Sequence, residues 1–549
     1  MISLLLISLI LVSIVPLHKN TIFNLALSRI VSIILIFSSF LIMNIYYIDR
    51  IYSGVHIFYG YISINSINQV FQFFLLLIGA LISVPGSVLQ NNKLIQTSNL
   101  IFQNVHPYLN NYGLIILFNL IGACALITAN DMLTLYIAIE TQSFSLYLLS
   151  TLKNDSIRSA TAGLKYFLIG SLASIIILLG IALLYYASGL TNFENLALYF
   201  NITDFNPYYS TLILSIGFIL IGLLIKVGAA PLHQWTPDVY SLVPTAVTTW
   251  LVVLPKLSIF VLLLQIIELI LLGSITIQNL LIIISILSLI IGAIGGLYQV
   301  NIKRLLAYSS INNLGFLIIA LTISNKVSLE AFTFYLTQYT FTTLNIFLIL
   351  IAFGYLAYLY PIKNNRMFIT QTKELSNSNL NVGDQTQDIN FINQLTGLFK
   401  NNPILTISFI ICLFSFAGVP PLMGFFAKQQ VLLASLSVGF IFLSLIAINT
   451  SVIAAFYYLK LIQVSSFINN DLSLNLQKKF FKNTDKLADT LSKGVGQGIS
   501  KNFFNSNSNI SHVHSYLISI LTCTILLYAI KPTLLLNLTS ILAFYAFSI

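Results

Sequence analysis

The chain contains very little charge. Only 7% of its 549 residues are Asp, Glu, Lys or Arg, whereas soluble proteins average about 25%, and 57% of the residues are hydrophobic. Such a composition cannot cover the surface of a soluble domain, and it is too apolar for a disordered or nucleic-acid-binding chain despite the formal net charge of +10. It leaves an integral membrane protein, whose helices satisfy their backbone polar groups internally.

Cysteine is also scarce, and the sequence lacks the common cofactor motifs. The three cysteines, Cys124, Cys412 and Cys523, lie far apart inside apolar runs, with no CxxC pair and no Cys/His cluster. We therefore expect no metal site, no iron–sulfur cluster, no haem and no disulfide framework on this chain. No GxGxxG fingerprint follows a strand, so we expect no bound dinucleotide either.

Apolar runs long enough to cross a bilayer follow one another along the chain. They predict an all-α integral membrane protein with about fourteen membrane-spanning helices. The first run lacks a basic flank and a cleavage site, so we expect it to be retained as a helix. The runs lie near 2–16, 29–48, 67–89, 112–129, 132–150, 162–187, 209–231, 245–271, 277–298, 304–323, 330–359, 403–437, 438–463 and 515–532, and a short interfacial helix is expected at 534–548.

The basic residues of the loops predict how the chain is oriented. If the N-terminus lies outside and the sides alternate, only Arg50, Lys326 and Lys531 fall outside, and the other basic loop residues fall inside. Two polar inserts, 361–402 and 464–514, then face inward. Their compositions predict flexible or surface-lying loops, either without chemistry of their own or serving to dock a partner subunit.

Two segments rich in Gly and Pro interrupt apolar helices at corresponding places. LIKVGAAPLHQW (224–235) lies in the seventh predicted helix, and FAGVPPLMGFFAK (416–428) lies in the twelfth. These positions are equivalent if helices 4–8 and 9–13 form two inverted halves, and paired broken helices indicate an ion pathway. The predicted units are an N-terminal segment (1–110), a first half (111–273), a second half (274–463), a polar loop (464–514) and a C-terminal helix with its tail (515–549).

One glutamate, Glu140, lies in the middle of the fifth predicted helix, NDMLTLYIAIETQSFSLYLL. Placing a charge at the bilayer centre costs roughly 2.5–3.5 kcal/mol, so the residue needs a reason to be there. We interpret Glu140 as a proton-transfer or coupling residue. The alternative is a paired carboxylate that only packs helices.

Three lysines lie next to interruptions of apolar helices. Lys226 precedes Pro231 by five residues, Lys256 follows Pro255, and Lys428 follows the Gly-Val-Pro-Pro break of the twelfth helix. A proline removes a backbone donor and frees a carbonyl, so polar groups and water can gather beside each lysine. Because buried lysines readily take up and release protons, we predict a relay that includes these lysines and Glu140.

Several further polar residues have two open interpretations. Lys165, expected to start the sixth helix, either joins the relay or extends to the inner interface. His233, near Trp235, either shuttles protons or is a hydrogen-bonded loop residue. A polar stripe on helices 10 and 11 either joins helices or lines a hydrated path. The stripe consists of Ser309, Ser310, Asn312, Asn313, Tyr335, Gln338, Thr342 and Asn345.

Several of these motifs resemble one family. KVGAAPLHQWTPDVYSLVPT (226–245) with the following VVLPKLS, LLAYSSINNLGFL (305–317) and FAGVPPLMGFFAKQQVL (416–432) resemble the antiporter-like proton-translocating subunits of respiratory NADH dehydrogenase. The resemblance covers roughly residues 110–465. The family often has a glycine where this chain has Ser241-Leu242-Val243.

The resemblance implies roles for the matching residues. Glu140 would pair with Lys226, Lys256 would be the central lysine, and Lys428 would lie near the outward exit. Some members of the family have a glutamate at the position of Lys428, and this chain differs from them there. Longer members end in a lateral amphipathic helix, which is not predicted for this chain.

The resemblance also implies where the chain works. It would lie in the mitochondrial inner membrane with its N-terminus on the intermembrane-space side, beside other membrane-arm subunits, including antiporter-like ones, and lipids. NADH, FMN, iron–sulfur clusters and ubiquinone would bind to partner subunits. Two alternatives remain: a stand-alone or multi-subunit cation/proton antiporter subunit, and a scaffold subunit that transports nothing.

Overall fold

The structure is a computed structural model that describes most of the membrane part of the chain. The described residues are 21–46, 54–86, 112–153, 156–202, 209–270, 275–323, 325–364, 388–466 and 512–547. The predicted first helix and most of both polar inserts lie outside them.

The first half of the described chain forms nine helices and one small hairpin. They are α1 (Thr21–Tyr46), β1 (Val55–Ile57), β2 (Ile62–Ile64), α2 (Ser66–Gly86), α3 (Tyr112–Ile127), α4 (Met132–Thr151), α5 (Ile157–Ser188), α6 (Phe193–Ile202), α7 (Tyr209–Val227), α8 (Trp235–Leu242) and α9 (Thr245–Ile270).

The second half of the described chain is helical throughout. Its elements are α10 (Ile275–Leu297), α11 (Ile302–Ile323), α12 (Lys326–Asn364), a 3₁₀ turn (Ile392–Leu395), α13 (Leu398–Asn401), α14 (Pro403–Ala417), α15 (Met423–Ser437), α16 (Ile441–Ser466), α17 (His512–Leu527), a second 3₁₀ turn (Tyr528–Ile530) and α18 (Thr533–Phe547).

Ten helices of the described chain are long and apolar enough to cross a membrane. Three shorter apolar segments, Arg29–Asn44, Tyr112–Ile127 and Pro403–Ala417, accompany them. Every predicted run from residue 29 onward overlaps a helix of the structure. The chain is therefore a largely helical, multi-pass membrane protein, whereas the count of fourteen helices and the inverted repeat stay predictions.

The all-helical prediction is wrong at one place. Strands β1 and β2 form an antiparallel hairpin in which Val55 faces Ile64. Gly54 and Gly60, with φ of +80° and +89°, permit the tight turns around it. Each strand has only three residues, so the segment carried no period-two signal that a sequence pattern would reveal.

Three helices form the centre of the bundle. Helices α9, α11 and α12 are almost entirely buried, whereas α5, α10 and α16 present a large apolar face to the outside. Glycines allow the outer helices to approach closely: a Cβ on Gly292 of α10 would lie 2.5 Å from the backbone nitrogen of Asn312 in α11. Polar residues on α9, α11 and α12 are therefore shielded from lipid.

Both predicted helix interruptions are confirmed. Helix α7 ends at Val227, and Gly228 with φ of +86° turns the chain toward α8. The run predicted at 403–437 is two helices, because α14 ends at Ala417 and α15 begins at Met423. Gly418 caps α14 in the left-handed conformation that favours glycine. Each break ends a helix next to a lysine and leaves carbonyls that need partners from outside the helix.

Candidate functional site

Glu140 and Lys226 form an ion pair between α4 and α7. The Lys226 Nζ lies 3.3 Å from the Glu140 Oε1, and the side chains are 7% and 18% exposed. Lys226 occupies the last turn of α7, where the negative end of the helix dipole favours a cation. The pairing that the family resemblance implied is thus present in the structure.

A small cavity connects this ion pair to helix α9. It is lined by Lys226, Gln142 and Ser143 on one side and by Pro255 on the other, and it can hold a water molecule. The Gln142 amide nitrogen lies 2.9 Å from the Ser258 hydroxyl, which ties α4 to α9. Polar groups and a water-sized space therefore lie between Lys226 and the helix that carries Lys256.

Trp235 and Tyr166 close one wall of this cavity. Their rings are stacked with centroids 4.9 Å apart, and both residues line the cavity. The Trp235 indole nitrogen donates to the carbonyl of Ile225 at 3.0 Å, so it satisfies a carbonyl at the end of α7. The break after α7 thus supplies both the lysine and the aromatic wall beside it.

Lys256 is buried at the centre of the bundle. Its side chain lies one residue after the helix-internal Pro255 and is 2% exposed. The ammonium donates to the Tyr339 hydroxyl at 3.1 Å and lies 5.8 Å and 5.6 Å from the ring centroids of Tyr240 and Tyr339. Within the described residues no carboxylate is in ion-pair contact with it.

Lys428 is held by the break between α14 and α15. Its Nζ donates to the carbonyls of Phe416 and Ala417 at 2.8 and 3.0 Å, and these carbonyls lie at the C-terminal end of α14. The ammonium also lies 5.6 Å from the ring centroid of Phe316. A Cβ on Gly418 would be 3.0 Å from the Lys428 side chain, so glycine fits this position.

Four buried tyrosines fill the space around α11, α12 and α16. We call Tyr335, Tyr339, Tyr457 and Tyr458 the tyrosine cluster. The Tyr335 hydroxyl donates to Asn313 Oδ1 at 3.0 Å, and the hydroxyls of Tyr457 and Tyr458 are 3.5 Å apart. Tyr339 of the cluster contacts Lys256. Tyr335 and Tyr458 stack on Phe316 and Phe416, and both of these residues contact Lys428.

The predicted polar stripe of α12 is buried but not uniform in its contacts. Gln338 reaches the Ser415 hydroxyl at 3.4 Å, and Asn345 donates to the Cys412 Sγ at 3.1 Å. The Thr342 hydroxyl bonds back to its own helix. Some stripe residues therefore join helices, as one of the two interpretations expected.

Lys165 lies deeper in its helix than expected. Helix α5 begins at Ile157 rather than near residue 162, so Lys165 is two turns inside it. Its Nζ lies 2.7 Å from Asp238 Oδ2, and Arg304 lies 3.1 Å from the other oxygen of the same carboxylate. Both cations are about half exposed, so this cluster lies at the edge of the protein.

His233 lies in the break after α7, apart from the ion pair. Its Nδ1 is 3.0 Å from the Pro231 carbonyl oxygen, and its ring faces Tyr308. Burial lowers the pKa of His233 below its usual value, and the Pro231 carbonyl opposes this only in part. The described residues give it no hydrogen bond to any of the four relay candidates.

A second buried ion pair was not predicted. Lys303, expected in a loop, is 2% exposed at the start of α11, and its Nζ lies 2.8 Å from Asp388 Oδ2 and 2.9 Å from the Val243 carbonyl. Asp388 also accepts from the Thr245 backbone nitrogen and hydroxyl at 3.1 and 2.8 Å. Asp388, in the first polar insert, thus binds the first turn of α9. Its partner Lys303 binds Val243, in the loop where the family often has a glycine.

The charge of Asp388 is stabilised by these donors. Burial alone would raise the pKa of this carboxyl, but Lys303 and the Thr245 donors together hold it below the usual range. A further difference concerns His512 and His514, which we expected in a loop. They begin α17 instead, and buried His514 lies 3.0 Å from the Leu348 carbonyl oxygen.

The described part of the chain contains no cluster of metal ligands. No group of three or more His, Cys, Asp or Glu side chains there is placed to hold a metal ion. The four relay candidates instead supply one carboxylate and three buried lysine side chains, with hydroxyl groups beside them. Such groups exchange protons and do not carry electrons.

Comparisons with known proteins agree on one family. The family described as NADH:quinone oxidoreductase/Mrp antiporter, TM, matches residues 129–454. NADH-ubiquinone oxidoreductase chain 2 of Rhizopus oryzae is 40% identical over 521 residues, which cover 93% of each chain. NADH-quinone oxidoreductase subunit N of Rhodospirillum rubrum is 34% identical over 65% of this chain and 67% of its own.

Solved structures show the same fold. A chain of respiratory complex I from Thermus thermophilus matches with a TM-score of 0.69 and 21% identity, over 98% of both chains. A chain of the Mrp complex from Dietzia sp. DQ12-45-1b matches with a TM-score of 0.72 and 17% identity, over 98% of this chain and 95% of that one. The chain belongs to the family of NADH:quinone oxidoreductase and Mrp antiporter membrane subunits.

Proposed function

We propose that the chain is a core membrane subunit of the proton-pumping NADH:ubiquinone oxidoreductase, complex I, of the chain 2 type found in fungal mitochondria. The Rhizopus relative, which matches nearly the whole chain, supports this assignment. The observation that carries it is Lys256, a lysine buried in the bundle without a carboxylate partner among the described residues. An uncompensated ammonium is costly in such a place, so the side chain is suited to cycling between its charged and neutral forms.

The proposed proton path follows the buried ionisable groups. Protons enter from the inner side and reach the Glu140–Lys226 pair, which holds them as a charged pair. They then cross the cavity beside Pro255 to Lys256. From there they pass the tyrosine cluster to Lys428 and leave on the outer side.

The energy for this transfer must come from elsewhere in the complex. Moving one proton against 100 mV costs about 2.3 kcal/mol. Because the pairing of Lys226 with Glu140 stabilises both charges, opening the pair would favour transfer of a proton from Lys226 toward Lys256. We propose that quinone reduction in partner subunits drives this opening.

Lys165 and His233 are proposed as entry residues with a smaller role. Both lie near the elements that wall the cavity, since Lys165 is one residue from Tyr166 and His233 is two residues from Trp235. Lys165 is tied to Asp238 and His233 to Pro231, so either would deliver protons only by releasing its present contact.

The arrangement in the membrane is proposed from the loop charges and from the relatives. The N-terminus would face the intermembrane space, with both polar inserts on the matrix side. About fourteen helices would include two inverted halves (111–273 and 274–463), flanked by the units 1–110, 464–514 and 515–549. Neighbouring membrane-arm subunits and lipids would cover the apolar outer faces. NADH, FMN, iron–sulfur clusters and ubiquinone would bind to partner subunits.

A cation/proton antiporter is the second candidate function. The structural likeness to a chain of the Mrp complex favours it, because the same fold occurs there. A non-transporting scaffold is the third, but it gives no reason for an unpaired lysine in the bundle centre.

Purification of the native complex distinguishes the first two candidates. The chain should co-migrate with flavin- and iron–sulfur-containing subunits, and the preparation should reduce ubiquinone with NADH. A preparation that contains the chain with neither flavin nor clusters, and that exchanges a cation for protons, would support the antiporter instead.

A further inference from the structure

We propose that Tyr339 is a further catalytic residue of the proton path, and the proposal rests on the relay function proposed above. In this scheme its hydroxyl receives a proton from Lys256 and passes its own hydrogen on toward α11. Tyr339 could not be singled out from the sequence, because it lies outside the predicted polar stripe of α12.

The contact between Lys256 and Tyr339 is direct and buried. The Lys256 Nζ lies 3.1 Å from the Tyr339 hydroxyl oxygen, and the two residues are 2% and 0% exposed. Tyr339 is the one hydrogen-bond partner that the described residues give to this ammonium. A phenol hydroxyl can accept one hydrogen bond while it donates another, which is what a relay group requires.

Acceptors for the outgoing hydrogen lie on α11. On this helix Asn313 Oδ1 already accepts from the neighbouring Tyr335. Asn312 Oδ1 and Asn313 Nδ2 are buried without a hydrogen-bond partner among the described residues. Because buried polar atoms are almost always satisfied, such atoms indicate positions of ordered water. Hydroxyl and amide groups thus continue the path away from Lys256.

The transfer conserves charge on the tyrosine. One N–H bond of the Lys256 ammonium breaks and an O–H bond forms on Tyr339, while the original Tyr339 O–H bond breaks and its proton moves to a water beside Asn312, which then carries the positive charge. Lys256 becomes a neutral amine and Tyr339 remains a neutral phenol. Rotation of the hydroxyl resets Tyr339, and a proton from the Lys226 side recharges Lys256. No electrons are exchanged.

Tyr339 could instead act only through its aromatic ring, by holding the Lys256 ammonium in place. Its centroid lies 5.6 Å from the Lys256 Nζ, within the range of a cation–π contact. The substitution Tyr339→Phe keeps this ring and removes only the hydroxyl. A loss in that variant is therefore due to the hydroxyl and not to the ring.

The test uses the assembled complex reconstituted in lipid vesicles. We expect Tyr339→Phe to lower proton pumping and NADH:ubiquinone turnover about 10-fold, less than general acid–base residues usually contribute because water can partly replace the hydroxyl. Electron entry from NADH to an artificial acceptor should be unchanged, which reports intact assembly. The matched control is Tyr528→Phe, since the Tyr528 hydroxyl is buried without a partner in the described residues; it should pump normally.

The outcomes separate this proposal from the proposed function. Normal pumping by Tyr339→Phe, together with a loss in Lys256→Met, overturns the role of Tyr339 and leaves the relay standing. Normal pumping by Lys256→Met overturns the relay itself. An equal loss in Tyr339→Phe and Tyr528→Phe also overturns the role of Tyr339, because it assigns the effect to general packing.

Discussion

Removing the lysine of the buried pair Lys303–Asp388 should destabilise the protein far more than removing the lysine of the exposed pair Lys165–Asp238. The two pairs have nearly the same N–O distance, 2.8 and 2.7 Å. Their environments differ: the side chains are 3% and 20% exposed in the first pair and 50% and 36% in the second. The substitutions Lys303→Met and Lys165→Met therefore compare a buried and an exposed pair at a similar N–O distance.

The expected magnitudes follow from what each substitution leaves behind. Lys303→Met leaves Asp388 as a largely buried carboxylate whose remaining donors come from Thr245. Removing one partner of a buried ion pair costs about 3–5 kcal/mol, and we expect about 3 because Asp388 keeps these donors and some exposure. Lys165→Met removes an exposed pair and should cost at most about 1 kcal/mol.

The assay is the rate of irreversible heat inactivation of the purified complex, which reports kinetic stability. A cost of about 3 kcal/mol corresponds to inactivation up to about 100-fold faster, and about 1 kcal/mol corresponds to about 5-fold. The double variant Lys303→Met/Asp388→Asn should recover part of the loss, since no uncompensated charge stays buried. Equal rates for Lys303→Met and Lys165→Met would refute the reasoning.

Two further predictions concern Asp388 and Glu140. The pKa of Asp388 is held below its usual value of about 3.9, so its stabilising effect is complete above that pH and is lost as the pH falls through the folded-state pKa. Inactivation of the wild type should thus accelerate on acidification more steeply than that of Asp388→Asn; parallel pH profiles would contradict this. Glu140→Gln leaves Lys226 without its counter-ion, so pumping and turnover should fall while the complex assembles; lost assembly with normal pumping per complex would favour a scaffold role.

The features that sequence reasoning found are those with a local signal. The breaks after Val227 and Ala417 coincide with Gly and Pro residues, which affect the backbone conformation only within a few residues. Glu140, Lys256 and Lys428 could be identified from the sequence because a charged residue inside an apolar run is unusual, whatever it contacts in the fold.

The features that it missed depend on distant parts of the chain. Tyr339 lies 83 residues from Lys256, and Asp388 lies 143 residues from Thr245, so nothing near either residue indicates its contact. Tyrosine is also common in apolar helices, where it usually packs. The hairpin at Val55–Ile64 was missed because it is too short for a pattern.

The most direct test of the central claim is proton pumping by the Lys256→Met variant. The variant complex would be purified, reconstituted in vesicles, and measured for protons moved and ubiquinone reduced per NADH supplied. A relay through Lys256 predicts that pumping and NADH:ubiquinone turnover both fall, while assembly and electron entry from NADH stay normal. Full pumping by this variant would contradict the account.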